Sequence, residues 1–454
     1  MNYKMMGRLI AQILLAEAAF MVPALIISLA GQDSQAILGF ALSILVILAV
    51  AGVLMFFARK AKKGFYAREG MVCVGLAWIV MSLLGCLPFW ISREIPSYLD
   101  GLFEIVSGFT TTGASILSNV EGLSNGMLYW RSFSHWVGGM GVLVFLLAVV
   151  PVSGRNDGFT MHLLRAESPG PNVAKLVPRI RSTAGILYIL YIVLTVVDFL
   201  FLLAGKMPVL EAVCTVFMLL FGVNFSCYYL LIMKQVKSVY KDEELRLYVG
   251  MVLGSVLLIV INLRGFYGTF EETVRHAFFQ VASIVTTTGF ATTDFDLWPG
   301  FSKAILLCLM VVGACAGSTG GGFKCGRLLL VFKSLRRNIQ KMLRPQRIQA
   351  VRSNKQVVSE KVLENTNAYL AAYVLIIIFS LLVISIDGFS VGTNFSAVLA
   401  CFNNIGPGLE LVGPTCNFSV YSSLAKIVLI FDMLAGRLEI FPILILLSRD
   451  TWRR

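Results

Sequence analysis

Histidine and paired cysteines, which most often hold metals in proteins, are scarce in this chain. Only three histidines occur among 454 residues, and the nine cysteines are scattered without a CxxC pair. Most of the cysteines lie inside apolar segments, where we expect small core residues. The sequence also shows no nucleophile–base pair and no phosphate-binding loop. These absences argue against a metal centre, a resident cofactor and an enzyme.

Charged residues are also few, at 14% of the chain, whereas hydrophobic residues make up 57% and the mean hydropathy is +0.81. A soluble protein of this length could not hide so much apolar surface, so lipid is the expected solvent for most of it. The formal net charge of +13 would suggest nucleic acid as a partner for a soluble protein. Here the basic residues collect between apolar runs, which is typical of membrane orientation and not of nucleic-acid binding.

Ten apolar runs of about 20 residues are expected to cross the membrane. They cover residues 9–30, 36–58, 70–91, 130–150, 183–204, 213–233, 247–263, 302–322, 369–386 and 423–447. Loops rich in lysine and arginine follow every second run, and residues 324–361 are the most basic of them. The positive-inside rule then places these loops and both termini in the cytoplasm.

A short motif occurs twice, and a looser copy occurs once more. The copies read Thr110-Thr111-Thr112-Gly113, Thr286-Thr287-Thr288-Gly289 and Asn403-Asn404-Ile405-Gly406. Each follows a short apolar segment and precedes a span, and the span assignment places all three on the outer face. Irregular backbone that dips into a membrane must be buried in protein or line water. The pattern therefore predicts re-entrant pore loops, each led by a half-length helix.

The chemistry of such a loop comes from its backbone. An extended tetrapeptide that ends in glycine can point several carbonyls the same way, because glycine adopts conformations that other residues avoid. Carbonyls from several loops can replace the water shell of a monovalent cation, and the negative C-terminal ends of the half-helices favour the same charge. Acidic residues near the loops, such as Glu104 and Glu410, are either mouth charges that concentrate cations or ordinary solvated side chains.

Two further features lie within spans. Residues 313–322 form a run almost without side chains, which indicates either an unwound gate below the loops or tight helix packing. Its glycines include Gly317, Gly320, Gly321 and Gly322. Arg437 lies within the last span, where charge is costly. It is either a positive barrier in an ion path or an ion-pair partner of Glu439, Asp432 or another span.

With these residues assembled, the chain resembles the TrkH-type branch of the Trk/Ktr/HKT potassium-transporter superfamily over nearly its whole length. The matching motifs are residues 107–114, 134–141, 165–171, 222–226, 316–322, 403–408 and 436–439. The resemblance implies an all-α polytopic membrane protein with about ten transmembrane helices. Four span–pore-loop–span repeats follow an N-terminal hairpin. The expected blocks are the hairpin at 1–69 and the repeats at 70–151, 183–246, 247–333 and 368–454.

The resemblance also implies potassium uptake across the cytoplasmic membrane through a selectivity filter. The implied filter strands are Thr111-Thr112-Gly113, Thr287-Thr288-Gly289 and Asn404-Ile405-Gly406, and potassium binds at these residues alone. A gating loop maps to residues 317–322, and an arginine below the filter maps to Arg437. The implied assembly is a homodimer with one pore per subunit and a cytoplasmic nucleotide-binding regulatory subunit.

The second repeat departs from this pattern. Between the spans at 183–204 and 213–233 the chain has no room for a half-helix and filter strand, and no glycine lies between Gly205 and Gly222. An alternative is therefore a non-conducting or poorly selective protein that keeps only fold and partner binding. A sodium-selective or sodium-coupled transporter is a third alternative, weakly disfavoured by glycine at all three visible filter positions. Channel-like transport and symport with H⁺ or Na⁺ both remain open.

Overall fold

The computed structural model describes residues 1–59, 67–140, 180–204, 207–344, 349–354 and 356–453. Within these ranges the chain is mostly helical, in agreement with the predicted all-α class. The second half of the fourth predicted span, most of the basic loop after it and the motif at 165–171 lie outside the described residues.

The helices follow one another with short connections. In chain order they are α1 (Tyr3–Ala30), α2 (Ser34–Phe57), α3 (Ala67–Gly85), α4 (Leu87–Ile91), α5 (Tyr98–Phe109), α6 (Asn125–Met140), α7 (Ile180–Ala204), α8 (Met207–Phe221), α9 (Phe225–Ile232), α10 (Val236–Tyr240), α11 (Glu243–Asn262), α12 (Phe270–Val285), α13 (Gly300–Val312), α14 (Cys325–Leu343), α15 (Glu360–Ile384), α16 (Val391–Phe402), α17 (Ser423–Arg437), α18 (Phe441–Leu447) and α19 (Arg449–Trp452). Two-residue strands, β1 (Arg352–Ser353) and β2 (Gln356–Val357), pair antiparallel.

Five helical segments among the described residues are long and apolar enough to cross a membrane, and α8 with α9 adds a sixth if the bent pair is one span. The five are Tyr3–Ala30, Ser34–Phe57, Arg68–Ile91, Glu243–Asn262 and Glu360–Asp387. Large apolar side chains stand on their outer surfaces; on α2, for example, Leu45 is 63% and Phe57 70% exposed. Such a surface suits lipid and not water. The chain is therefore a multi-span membrane protein.

The N-terminal hairpin packs against the rest of the protein through α1, which contacts α3 and α6. The Asp33 side chain accepts a hydrogen bond from the Ala36 amide at 3.2 Å and so caps α2. A Cβ added at Gly126 of α6 would lie 2.0 Å from the Ser28 hydroxyl oxygen of α1. The two helices approach closely because glycine lacks that atom, which fixes the hairpin beside α6.

Three helices, α5, α12 and α16, are too short to cross a membrane and precede the predicted loops. They contain 12, 16 and 12 residues, or roughly 18 to 24 Å against a hydrocarbon core of about 30 Å. Each starts at a hydroxyl cap, Ser97, Thr269 or Ser390, whose oxygen accepts a backbone hydrogen bond at 3.0 to 3.3 Å. Their last turns are buried, so all three deliver the chain into the protein interior.

Among the described residues, three predicted spans bend or unwind part-way, and the span at 70–91 is interrupted at Cys86 between α3 and α4. The predicted span at 213–233 is divided between α8 and α9, which are bent by 90° where Asn224 caps the second helix. The span at 302–322 is helical only to Val312, because Gly313 has a positive φ of 69°. The last span breaks after Arg437 and restarts at Phe441, with positive φ at both Glu439 and Ile440. Local backbone geometry, and not hydropathy, decides these breaks.

Candidate functional site

The three predicted loops share one backbone conformation. We call residues 110–113 loop 1, residues 286–289 loop 3 and residues 403–406 loop 4. The second residue of each is left-handed, with φ of 57° at Thr111, 57° at Thr287 and 55° at Asn404. The closing glycines also have positive φ, at 79°, 80° and 104° for Gly113, Gly289 and Gly406. Non-glycine residues seldom adopt this region, so the recurrence marks the loops as structural copies.

Each loop closes its half-helix with the same hydrogen bond. The third loop residue donates its amide to a carbonyl five residues earlier: Thr112 to Ser107 at 2.8 Å, Thr288 to Ser283 at 2.9 Å, and Ile405 to Ala400 at 2.8 Å. This is the pairing of a Schellman cap, with threonine or asparagine at the left-handed position that glycine usually takes. The caps satisfy carbonyls of the half-helices and leave those of the loops available.

The available carbonyls are the main chemical feature of the site. In the described part of the chain, none of the nine carbonyl oxygens at Thr111–Gly113, Thr287–Gly289 and Asn404–Gly406 accepts a protein hydrogen bond. The surrounding residues are largely buried. Five of the nine residues are buried, namely Thr112, Thr287, Asn404, Ile405 and Gly406. Buried carbonyls are nearly always paired, so these call for another partner, such as water or a cation.

The loops touch one another in a fixed order. A Cβ built on Gly289 of loop 3 would lie 2.0 Å from the Ile405 carbonyl oxygen of loop 4. A Cβ on Gly406 of loop 4 would lie 2.7 Å from the Thr112 carbonyl oxygen of loop 1. The Asn404 amide also donates to the Thr112 hydroxyl at 3.0 Å. Loop 3 thus abuts loop 4, and loop 4 abuts loop 1.

Among the described residues, no further loop abuts loop 1 at Gly113. Nothing described lies within 4 Å of a Cβ built there, in contrast to Gly289 and Gly406. A cavity of about 510 Å³ lies here, between loop 1 and loop 3, with α7 and α8 among its walls. We call it the side cavity. Only residues 205 and 206 separate α7 from α8, so the connection between them is too short to add a fourth loop.

The glycine segment, defined as residues 313–324, lies against loops 3 and 4. The Gly321 amide donates to the Thr287 hydroxyl at 2.7 Å. A Cβ on Gly321 would lie 2.3 Å from the Asn403 carbonyl oxygen, and one on Gly320 would lie 2.9 Å from that of Thr286. Gly317 and Gly322 have positive φ of 69° and 79°. The predicted unwound backbone is confirmed, and larger residues would push it from the loops.

Arg437 holds the glycine segment to α6. Its guanidinium donates to the carbonyls of Thr319 at 3.0 Å and Gly139 at 3.0 Å, and also to that of Gly138. The alternative of an ion pair with Glu439 or Asp432 is not what these contacts show. Glu439 pairs with Arg327, and Asp432 accepts a hydrogen bond from Ser380 at 2.7 Å.

One residue that the sequence reasoning missed is Lys324, which ends the glycine segment. It is 2% exposed, has a φ of 70° and donates to the Gly320 carbonyl. A buried lysine tied to this segment adds a second positive charge near Arg437. Its position two residues after the last glycine of the run was the available signal. It was instead grouped with the basic loop at 324–361.

Arg327 of α14 forms the buried ion pair with Glu439, and its guanidinium also lies 3.9 Å from the Tyr369 ring centroid. We expect Arg327→Ala to lower the free energy of unfolding by about 3 kcal/mol, because a half-buried carboxylate loses its partner. The matched control is Arg337→Ala on the same helix, whose partner Glu360 is 65% exposed; its cost is about 0.5 kcal/mol. Thermal unfolding of the purified variants measures both, and equal losses would contradict this assignment.

Neither alternative for the acidic residues near the loops, a mouth charge or a solvated side chain, fits Glu104. It is 1% exposed, pairs with Arg131 at 2.6 Å and accepts hydrogen bonds from Ser115 and the Ile116 amide. Glu410 is tied to the hydroxyls of Ser390 and Thr393, which hold the pKa of its carboxyl below the usual range. The Glu410 carboxylate therefore holds the start of α16, and the Glu104 carboxylate holds the segment after loop 1 and α6 to α5. Within the described ranges no group of side chains could hold a metal ion.

Comparison with known proteins places this geometry in a family. The family model TrkH, described as cation transport protein, matches residues 37–207 and 268–452. The chain belongs to the TrkH family. Relatives include the Trk system potassium uptake protein TrkH of Salmonella typhimurium and that of Escherichia coli K12, each 33% identical with full coverage of both chains. TrkG of Escherichia coli K12 is 30% identical over 95% of each chain.

A solved structure extends the match to the fold. The crystal structure of the potassium transporter TrkH from Vibrio parahaemolyticus superposes with a TM-score of 0.87 at 29% identity and covers both chains fully. TrkH-family proteins are transport proteins, and this chain is not an enzyme. The family model leaves residues 208–267 unmatched. The alignment with the Salmonella relative spans 489 positions, 35 more than the 454 residues of this chain, so this chain carries at least 35 gap positions relative to it.

Proposed function

We propose that this chain takes up potassium ions across the cytoplasmic membrane, as the ion-translocating subunit of a Trk-type system. The nine free carbonyls of loops 1, 3 and 4 carry the proposal, because a dehydrated monovalent cation needs such oxygen ligands. The relatives at 33% identity are named as potassium uptake proteins. The filter strands are Thr111–Gly113, Thr287–Gly289 and Asn404–Gly406.

The proposed topology has ten spans, with both termini in the cytoplasm of the inner-membrane protein. The hairpin covers residues 1–69, and the repeats cover 70–151, 183–246, 247–333 and 368–454. Support comes from the long apolar helices, the half-length helices before each loop and the basic loops between spans. Residues 183–246 form a repeat with spans but without a pore loop.

The proposed gate is the glycine segment with Arg437. Gly320 and Gly321 place backbone without side chains against loops 3 and 4, and Gly317 and Gly322 have the positive φ that lets this backbone turn. Arg437 and Lys324 place positive charge beside this backbone, where a cation would pass. The proposal also includes a homodimer and a cytoplasmic nucleotide-binding regulatory subunit. The most basic loop, residues 324–361, offers positive charge to an acidic face of such a subunit.

Growth at low external potassium, in cells that lack their own potassium transporters, tests the proposed function. The wild-type chain restores growth and the empty vector does not. Asn404→Ala lowers the initial rate of uptake about tenfold, since its amide joins loop 4 to Thr112 and to the Met433 carbonyl. The control Asn417→Ala removes only a cap in a connecting loop and leaves uptake unchanged. No growth with wild-type protein present in the membrane would contradict the proposed function.

A further inference from the structure

Three polar side chains of α7 face the side cavity. Tyr191, Thr195 and Asp198 are spaced four and three residues apart, which places them on one face of the helix. All three line the cavity. Neighbouring side chains such as Val193 and Phe199 are apolar and exposed, at 51% and 58%. The helix therefore turns a polar face toward the loops and an apolar face toward lipid.

Asp198 lacks a partner for its charge among the described residues. Its Oδ1 atom has no solvent contact and accepts no hydrogen bond from them. Arg131 also lines the cavity, but it already pairs with Glu104 at 2.6 Å. A charged side chain within a membrane span is costly and usually faces a water-filled cavity or an ion pathway. Among the described residues, the geometry leaves space beside this carboxylate for a mobile cation.

Asp198 lies at about the same depth in the protein as loops 1 and 3. It lies six residues before the end of α7 at Ala204, or about 9 Å along the helix axis. The same cavity reaches Gly113 on one side and Thr288 and Gly289 on the other. A volume of about 510 Å³ holds on the order of ten waters. Water can therefore stand where the carbonyls of a fourth loop are missing.

We propose that the side cavity is a hydrated cation site, in which Asp198 supplies the negative charge that a fourth loop would otherwise provide. The site rests on the proposed potassium uptake and deepens it. A cation at loops 1 and 3 keeps water on its open side, and the carboxylate attracts it through that water. This arrangement makes Asp198 a positioning residue for the ion and not a direct filter ligand.

The test measures ⁸⁶Rb⁺ uptake by the full-length chain, with the amount of protein in the membrane recorded for each variant. Asp198→Asn raises the apparent KM about tenfold, because one unit charge near the ion is lost. Asp198→Glu keeps the charge, and its KM stays within about twofold of wild type. The inhibition of ⁸⁶Rb⁺ uptake by sodium also differs between Asp198→Asn and wild type, since the hydrated side of the site has lost its charge.

A second pair of variants keeps the test decisive if Asp198→Asn does not reach the membrane. Cys214 of α8 lines the same cavity. Cys214→Lys adds a positive charge there and raises the KM by more than the neutral Cys214→Gln, which changes the shape of the cavity but not its charge. With wild-type uptake present, an unchanged KM in Asp198→Asn, or in Cys214→Lys if Asp198→Asn does not reach the membrane, would overturn the cation site and indicate a cavity filled by lipid or water alone. Absence of wild-type uptake would instead overturn the proposed function.

Discussion

Gly289→Ala abolishes potassium uptake, whereas Gly113→Ala leaves a substantial part of it. Both glycines have φ near 80°, so alanine brings similar backbone strain of about 1 to 2 kcal/mol at either position. The two positions differ in what lies next to the added methyl group. The new methyl group at residue 289 would lie 2.0 Å from the Ile405 carbonyl oxygen, and the one at residue 113 meets nothing within 4 Å.

The two variants form a matched pair, because they change equivalent positions in structurally equivalent loops. Initial rates of ⁸⁶Rb⁺ uptake, divided by the amount of protein in the membrane, measure the contrast. We expect a fall of about 100-fold or more for Gly289→Ala and of less than about tenfold for Gly113→Ala, given the steric cost of a blocked backbone contact. Equal losses at the two positions would show that Gly113 also abuts a wall, and would contradict the open side of the filter.

Arg437→Ala raises the rate of potassium uptake by about tenfold at low external potassium. The guanidinium places a positive charge beside the glycine segment and ties Thr319 to Gly138 and Gly139. Removing the charge lowers the barrier for a cation, and removing the donors frees the segment. Flux assays in proteoliposomes measure the rate without other cellular transporters.

Arg437→Lys distinguishes the effect of the positive charge from the effect of the hydrogen bonds that hold the glycine segment. It keeps the positive charge but cannot reproduce the fork of guanidinium donors. We expect its rate to stay close to wild type, because the charge is the larger barrier to a cation. An unchanged or lower rate in Arg437→Ala, with normal protein in the membrane, would contradict the gate assignment.

The three loops were predictable because their geometry is encoded locally. A hydroxyl cap, an apolar half-helix and four residues that end in glycine suffice to form each copy, and the same hydrogen bond closes all three. The glycine run at 313–322 was predictable for the same reason, since its composition alone weakens a helix. The short connection between α7 and α8 was likewise visible in the sequence.

The partners of charged groups were not predictable from the chain. Arg437 reaches Thr319, which is 118 residues away, and Glu104 meets Arg131 on the next helix. Hydropathy treats such residues as isolated charges, whereas the fold decides which of them meet. Asp198 shows the same limit, because a single acidic residue in a span says nothing about the cavity that it faces.

The bend at Asn224 was likewise not predictable from the sequence. A run of apolar residues at 213–233 predicts one span, but the chain turns by 90° between α8 and α9. The Phe225 amide donates to the Gly317 carbonyl at 3.1 Å, and the Cys315 amide donates to that of Gly222 at 3.1 Å. These contacts with the glycine segment fix the bend, and they join residues that lie far apart in sequence.

The central claim is that three carbonyl loops, open on their fourth side to the side cavity, conduct potassium. Potassium flux into proteoliposomes that contain only the purified wild-type chain, with sodium as competitor, tests it most directly. The account predicts measurable potassium flux, with stronger competition by sodium than in a chimera that carries a second pore loop grafted from a TrkH relative. Folded wild-type protein without flux, together with flux in the chimera, would contradict the account.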